Sequence, residues 1–155
     1  MNRRNIKKLI TQLKKTKPVE DSGQPIKMGF NMSDFIYDCG TPACIAGWAT
    51  SMSEEVRNFT ATGPRDFSWS AAKWMDLDHD WCTSHLFYPN AWEHWEAIEP
   101  KHAVKALENI LAAGECYTEL CGPKLWGMTQ RGIDRVEERW WNRLEKENQK
   151  RRADK

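Results

Sequence analysis

Apolar residues recur every three or four positions along most of the chain, the spacing of one face of an α-helix. The clearest helix opens at Glu99-Pro100 and ends at Gly114, a residue type that often follows the last helical turn. A short β element is suggested only near residues 28–38. The pattern therefore predicts a mainly α fold, α+β at most, in a single domain over residues 1–155. The other predicted helices span residues 3–16, 42–53, 70–76, 79–87 and 129–148.

The stretch "DCGTPACIAGWA", residues 38–49, reads first as the start of a helix. Thr41 is a good N-cap residue, and Pro42 suits the first helical position, where its missing N–H costs nothing. Gly47 would lie one turn inside this helix, where glycine costs about 1 kcal/mol relative to alanine. We therefore expect another backbone or ring to approach Gly47 closely.

The chain of 155 residues contains nine tryptophans and five cysteines. Each tryptophan carries a large apolar area and an N–H donor, so some should be core and others a binding surface. The basic N-terminus lacks the apolar run of a secretory signal, and no segment is apolar enough to span a bilayer. With an odd number of cysteines, this predicts a cytoplasmic protein with reduced thiols and no membrane partner.

The net charge of +1 conceals a segregation along the chain. Residues 1–17 carry seven bases and no acid, residues 18–123 carry six bases and sixteen acids, and residues 124–155 carry ten bases and six acids. Basic ends around an acidic middle indicate nucleic acid or an acidic protein surface as a partner. Alternatively, the two ends fold against the middle and neutralise it.

The last predicted helix carries a ridge of arginines spaced four residues apart. Such a ridge suits phosphates or an acidic protein surface, although pairing with the interleaved glutamates is an alternative. Trp140 and Trp141 lie about 100° apart on this helix, so Trp140 can be core while Trp141 is exposed. The predicted partner-binding residues are Lys7, Lys8, Arg135, Arg139, Trp140, Trp141 and Arg143.

Several motifs in their chain order resemble a family of small uncharacterised proteins of bacteriophages and bacteria. The order is "FNMSDF … CGTPACIAGWA … SAAKWMDL … LFYPNAW … IEPKHAVKALENILAAG", covering roughly residues 28–114. The Cys-Gly-Thr-x-x-Cys-x-x-Gly motif is its most specific part. The resemblance implies a phage accessory protein that binds a host factor, and it implies no activity. The basic helices 3–16 and 129–148 lie outside the shared core and would specialise this member.

Two equally spaced cysteine pairs raise the question of metal binding. Four thiolates can hold a structural zinc, but zinc knuckles usually have two residues between their cysteines rather than four. We therefore expect structural cysteines and no cofactor, with zinc as the alternative. A thiol enzyme is a further alternative, because a cysteine in the first turn of a helix has a lowered pKa. The candidate ligands are Cys39, Cys44, Cys116 and Cys121, and the candidate nucleophile is Cys44.

Aromatic residues crowd the segment 69–95, and aromatic faces beside arginines can stack nucleotides. Core packing is the simpler explanation, and the chain contains no Gly-rich phosphate loop or dinucleotide fingerprint. The candidate residues of such a ligand site are Arg57, Arg65, Trp69, Trp92 and Trp95.

The favoured prediction is a non-catalytic phage protein that binds a host protein or nucleic acid, in counter-defence or host takeover. The alternatives are a nucleotide- or small-molecule-sequestering protein that uses the segment 69–95, and a thiol enzyme at Cys44.

Overall fold

A computed structural model of the chain describes residues 1–18, 29–36, 42–53 and 64–153, with the side chains of 64–66 excepted. Helices dominate these ranges, as predicted. The described helices are α1 (Arg3–Leu13), α2 (Ile45–Met52), α3 (Pro64–Met75), α4 (His79–Trp81), α5 (Pro100–Ala113), α6 (Gly122–Leu125) and α7 (Gln130–Ala153). A π-helical turn (Cys82–Phe87) continues α4, and 3-10 turns lie at Trp95–Ala97 and Gly114–Glu119.

Helix α1 buries the apolar face that its sequence predicts, and this face packs on α5 and α3. The side chain of Asn2 caps the helix by accepting a hydrogen bond of 3.1 Å from the Asn5 N–H. The helix ends at Leu13 rather than at residue 16, and the next residues continue as a turn. Its buried residues are Ile6, Leu9, Ile10 and Leu13.

The β element predicted near residues 28–38 is not a strand within the described residues there. Its place is taken by two isolated bridges, between Pro18 and Phe30 and between Ile36 and Pro42. The Asn31 N–H donates to the Ala43 carbonyl over 3.0 Å, and the Ala43 N–H donates to the Phe35 carbonyl over 2.9 Å. The segment 29–36 is thus bound to the residues just before α2.

These contacts also move the start of α2. Both backbone polar groups of Ala43 are bound to the segment 29–36, so the helix begins at Ile45 and not at Pro42. The N-cap is Cys44, whose Sγ accepts a hydrogen bond of 3.4 Å from the Gly47 N–H. Thr41, the predicted N-cap, lies outside the described residues.

The close approach expected at Gly47 is confirmed. A Cβ atom there would overlap the carbonyl oxygen of Phe35. Helix α2 therefore packs against the backbone of the segment 29–36 without an intervening side chain.

Helix α3 packs along α2 and begins at Pro64, six residues before its predicted start. The Thr50 hydroxyl fixes this contact by donating to the Phe67 carbonyl over 3.0 Å. Asp78 caps α4, as predicted, by accepting from the Trp81 N–H over 2.7 Å. The predicted single helix over 79–87 is a short α-helix followed by a π-helical turn, which turns Leu86 and Phe87 into the core.

Helix α5 crosses the core, where Ala103, Ala106, Leu107 and Ile110 are fully buried, and Gly114 ends it with a φ of 62°. Helix α7 begins after Thr129, whose hydroxyl accepts from the Gly132 N–H over 3.1 Å. It extends to Ala153, beyond the predicted end at residue 148.

Candidate functional site

Three stacked rings form an exposed patch where α7 passes the segment before α5. The imidazole of His94 lies 5.4 Å from the ring of Trp140 and 5.7 Å from that of Trp141, with interplanar angles of 29° and 24°. Trp140 is half-buried and Trp141 is 55% exposed. We call His94, Trp140 and Trp141 the aromatic patch.

Hydrogen bonds attach the aromatic patch to the fold. Glu137 is buried, and its Oε1 accepts a hydrogen bond of 2.7 Å from the backbone N–H of His94. The Gln130 side chain donates to the Ala91 carbonyl over 3.3 Å and to Asp134 Oδ1 over 2.9 Å. Helix α7 therefore fixes the position of His94, and His94 in turn supports the two tryptophans.

An acidic groove of about 550 Å³ borders the patch on the side of Trp141. Its carboxylates come from α7 and from the residue before His94. This gives the groove a negative field that suits a cationic side chain. The lining residues are Glu93, His94, Asp134, Glu137, Glu138 and Trp141.

A second groove, of about 320 Å³, borders the patch on the side of Trp140, between α7 and the start of α5. Arg139, Arg143 and Lys101 are its cations, and we call it the basic groove. Glu99 is its carboxylate and forms an ion pair with Lys101 over 2.6 Å. Its remaining lining residues are Ala97, His102, Met128, Val136 and Trp140.

His102 is a buried residue in the wall of the basic groove. Its Nδ1 accepts the Glu99 N–H over 3.0 Å, which caps α5 and leaves the ring proton on Nε2. Burial, with Lys101 adding to it, lowers the pKa of His102 to about 4. The imidazole is therefore neutral at pH 7 and presents an N–H donor.

The predicted partner-binding residues divide between two helices. Arg135, Arg139 and Arg143 are exposed along α7, and none of them forms an ion pair with another described residue. Arg135 lines neither groove, although its carbonyl accepts from Arg139 Nε over 3.1 Å. The predicted pairing of these arginines with the glutamates of α7 is thus not seen in the part of the chain that is described.

Lys7 and Lys8 lie on α1, in a basic surface that they share with Arg3, Arg4 and Thr11. Helix α1 packs on α5 and α3, whereas α7 packs on the turn at Trp95–Ala97. The two lysines therefore belong to a different surface from the aromatic patch.

The alternative ligand site in the segment 69–95 is not assembled as one stack. Trp92 is buried with its ring edge-on to Trp126. Trp95 contacts Tyr88, and Trp69 is exposed beside His79. The three predicted tryptophans therefore have different ring partners among the described residues. Arg57 and the side chain of Arg65 lie outside the described residues.

The surroundings of Cys44 are unlike those of a reactive thiol, and the other described cysteines do not form a metal site with it. Cys44 is buried, and burial raises its pKa to about 11, opposite to the lowering that a place in a first helical turn predicts. Cys116 and Cys121 are exposed and unbridged. Cys39 is outside the described residues. Within the described ranges, no three His, Cys, Asp or Glu residues are grouped so as to hold a metal ion.

Sequence reasoning named His94 and His102 only among the possible bases for Cys44, and it did not place them, Glu137 or Lys101 in a binding site. The sequence could have predicted a capping role for His102, because it is the third residue after the N-cap Glu99, and a side chain there can accept the N-cap N–H. His94 and Glu137 are 43 residues apart, and no local pattern connects them.

Comparison of the chain with family models, curated proteins and solved structures found no match. Among the described residues, no helix combines the length and the apolar character needed to cross a membrane.

Proposed function

We propose that this protein binds another protein through the aromatic patch and does not catalyse a reaction. The observation that carries the proposal is Trp141, a large ring that is 55% exposed yet held by stacking on His94. Tryptophan and arginine are the residue types that most often dominate binding energy at protein interfaces. A ring that is already positioned loses little entropy when a partner covers it.

The charges around the patch favour a protein over a nucleic acid. Arg139 and Arg143 lie on one side of it, whereas Asp134 and Glu138 lie on the other. A nucleic acid backbone presents negative charge throughout, so the acidic groove would repel it. A protein surface can offer both signs of charge and match both grooves.

The biological setting rests on the resemblance of residues 28–114 to small proteins of bacteriophages and bacteria. We propose on that basis that the partner is a host protein and that binding serves counter-defence or host takeover. The buried Cys44 supports a role without chemistry, because a thiol with a pKa of about 11 is protonated at pH 7.

The test is affinity capture from a bacterial lysate, with and without nuclease, followed by reconstitution with the purified captured protein. Trp141→Ala should weaken the reconstituted complex by at least about tenfold, as expected for an interface hot spot. Trp69→Ala is the matched control, since Trp69 is also 55% exposed and also lies beside a histidine.

Equal weakening by the two variants would contradict the proposal. Capture that nuclease abolishes would replace the protein partner with a nucleic acid. Thermal midpoints of both variants should stay near that of the wild type, because neither ring belongs to the core.

A further inference from the structure

We propose that the basic groove between α7 and the start of α5 binds a small phosphate ester that carries a planar ring, such as a nucleoside monophosphate. This site differs from the predicted ligand site in segment 69–95. It shares Trp140, Arg139 and Arg143 with the proposed protein-binding surface, but titration with a small phosphate compound tests it without the protein partner, so the two proposals can fail separately.

The cations of the groove converge from two helices. Lys101 comes from the first turn of α5, and Arg139 and Arg143 come from successive turns of α7. With Glu99 as the carboxylate and a neutral His102, the lining carries a net charge of +2. Guanidinium groups match the oxygens of a phosphate with paired hydrogen bonds, and a dianionic phosphate would balance this charge.

The two arginines are available for this task. Neither forms an ion pair within the described ranges, and the only hydrogen bond from either side chain there is from Arg139 Nε to the Arg135 carbonyl. Glu99 forms its ion pair with Lys101, whereas Arg143 acts on it only through its charge, which helps to lower the pKa of Glu99. The ends of both guanidinium groups therefore remain free to bind an anion.

A neutral imidazole in the wall of the groove offers a further donor to the same ligand. His102 is 8% exposed and lines the groove, and its Nδ1 is occupied by the Glu99 N–H. The Nε2–H has no hydrogen-bond partner among the described residues. Because Nε2 is not itself fully buried, this N–H is available to an anion in the groove.

The apolar part of the groove wall indicates that the ligand carries a planar ring besides its phosphate. Ala97, Met128, Val136 and the ring of Trp140 supply an apolar surface beside the cations. A volume of about 320 Å³ lies at the lower end of the range of small-molecule sites. A planar base on Trp140 with its phosphate toward Arg139 and Arg143 uses both parts of the wall.

The experiment is calorimetric titration of the full chain with inorganic phosphate, adenosine 5′-monophosphate and adenosine, with NMR mapping of the amide and indole N–H signals. We expect the monophosphate to bind at least about tenfold tighter than phosphate, because stacking contributes, and adenosine to bind weakest. Shifts should centre on Lys101, His102 and the Trp140 indole.

The Arg139→Gln/Arg143→Gln double variant should weaken monophosphate binding by at least about tenfold, since it removes both charge-assisted contacts. Arg131→Gln is the matched control, an exposed arginine of α7 outside the groove. The proposal would be overturned if the NMR signals of the wild-type protein did not shift with inorganic phosphate or with adenosine 5′-monophosphate, each at about 10 mM. Equal affinities for phosphate and monophosphate would overturn the ring-bearing ligand class. Neither result depends on whether the variants fold.

Discussion

The carbonyl oxygen of Phe35 occupies the position that a Cβ atom would take at residue 47, so that only glycine fits there. That same oxygen accepts the Ala43 N–H over 2.9 Å, which holds it in place. The two stretches "FNMSDF" and "ACIAGWA" are therefore bound to each other through their backbones. Their role in this molecule is to join the segment 29–36 to α2.

Gly47→Ala should lower the free energy of unfolding by about 3 kcal/mol, because the new methyl group forces the Phe35 backbone away from α2. The measurement is equilibrium unfolding in urea. Gly132→Ala is the control, since a Cβ there meets its nearest atom at 3.4 Å, an ordinary contact distance. Alanine suits a helix better than glycine, so this variant should gain about 0.5 kcal/mol. Equal effects of the two changes would contradict the contact.

Stability should fall as the pH is lowered from about 6.5 toward 4, because His102 is harder to protonate in the folded state than in the unfolded one. Its pKa is about 4 when folded, so the unfolded chain takes up the proton first. The expected loss from this group is about 1 to 2 kcal/mol at pH 5, and none above pH 7.

His102→Gln separates this effect from the titration of carboxylates. Glutamine at this position can still accept the Glu99 N–H and complete the capping box, but it does not titrate. The variant should lose less stability than the wild type between pH 7 and pH 5. Parallel unfolding curves over that range would show that His102 is not the group responsible.

Alkylation should separate the cysteines by burial. Cys116 and Cys121 are exposed and should react with iodoacetamide at pH 8 in the native protein. Cys44 and Cys82 are buried, and burial raises the pKa of both thiols, so they should react only after unfolding. Peptide mapping by mass spectrometry reads the result. Preferential native labelling of Cys44 would instead revive the thiol-enzyme alternative.

Glu137→Ala should cost about 2 kcal/mol of stability, because it leaves the His94 N–H without its acceptor. It should also weaken partner capture through Trp141, since His94 supports that ring. Glu137→Gln keeps an acceptor oxygen and should lose much less. Glu138→Ala changes an exposed neighbour and should leave the free energy of unfolding nearly unchanged. Urea unfolding and capture assays on the three variants provide the comparison.

Local signals predicted the helices that depend on local interactions. Glu99, Pro100 and Gly114 correctly mark both ends of α5, and the apolar spacing of α1 correctly gave its buried face. The predicted start of α2 was wrong, because the observed start depends on two backbone hydrogen bonds of Ala43, one from the Asn31 N–H and one to the Phe35 carbonyl. The residues around Thr41 and Pro42 give no local signal of these bonds. The π-helical turn at Cys82–Phe87 was likewise not visible, since its spacing follows from how the core packs.

The candidate site was predicted only in part, because local signals indicate its helix but not its tertiary contacts. Arginine spacing and the adjacent tryptophans indicated α7, and Trp141 is indeed the more exposed ring of the pair. The imidazole that stacks on that ring belongs to His94, which lies far earlier in the chain. The two grooves therefore required the tertiary structure, as did the finding that Trp92 is core.

From Leu144 to Ala153, every residue of α7 is exposed or half-buried, so these last turns bury little side-chain surface. Isolated helices of that length are marginal in water. Amide protons there should exchange with solvent far faster than those around Ile133, which is fully buried. A partner that covers this end would slow that exchange. Its binding would also have to offset the entropy lost when these turns become ordered as a helix. The measured affinity of the complex would therefore depend on the helix–coil equilibrium at the end of α7.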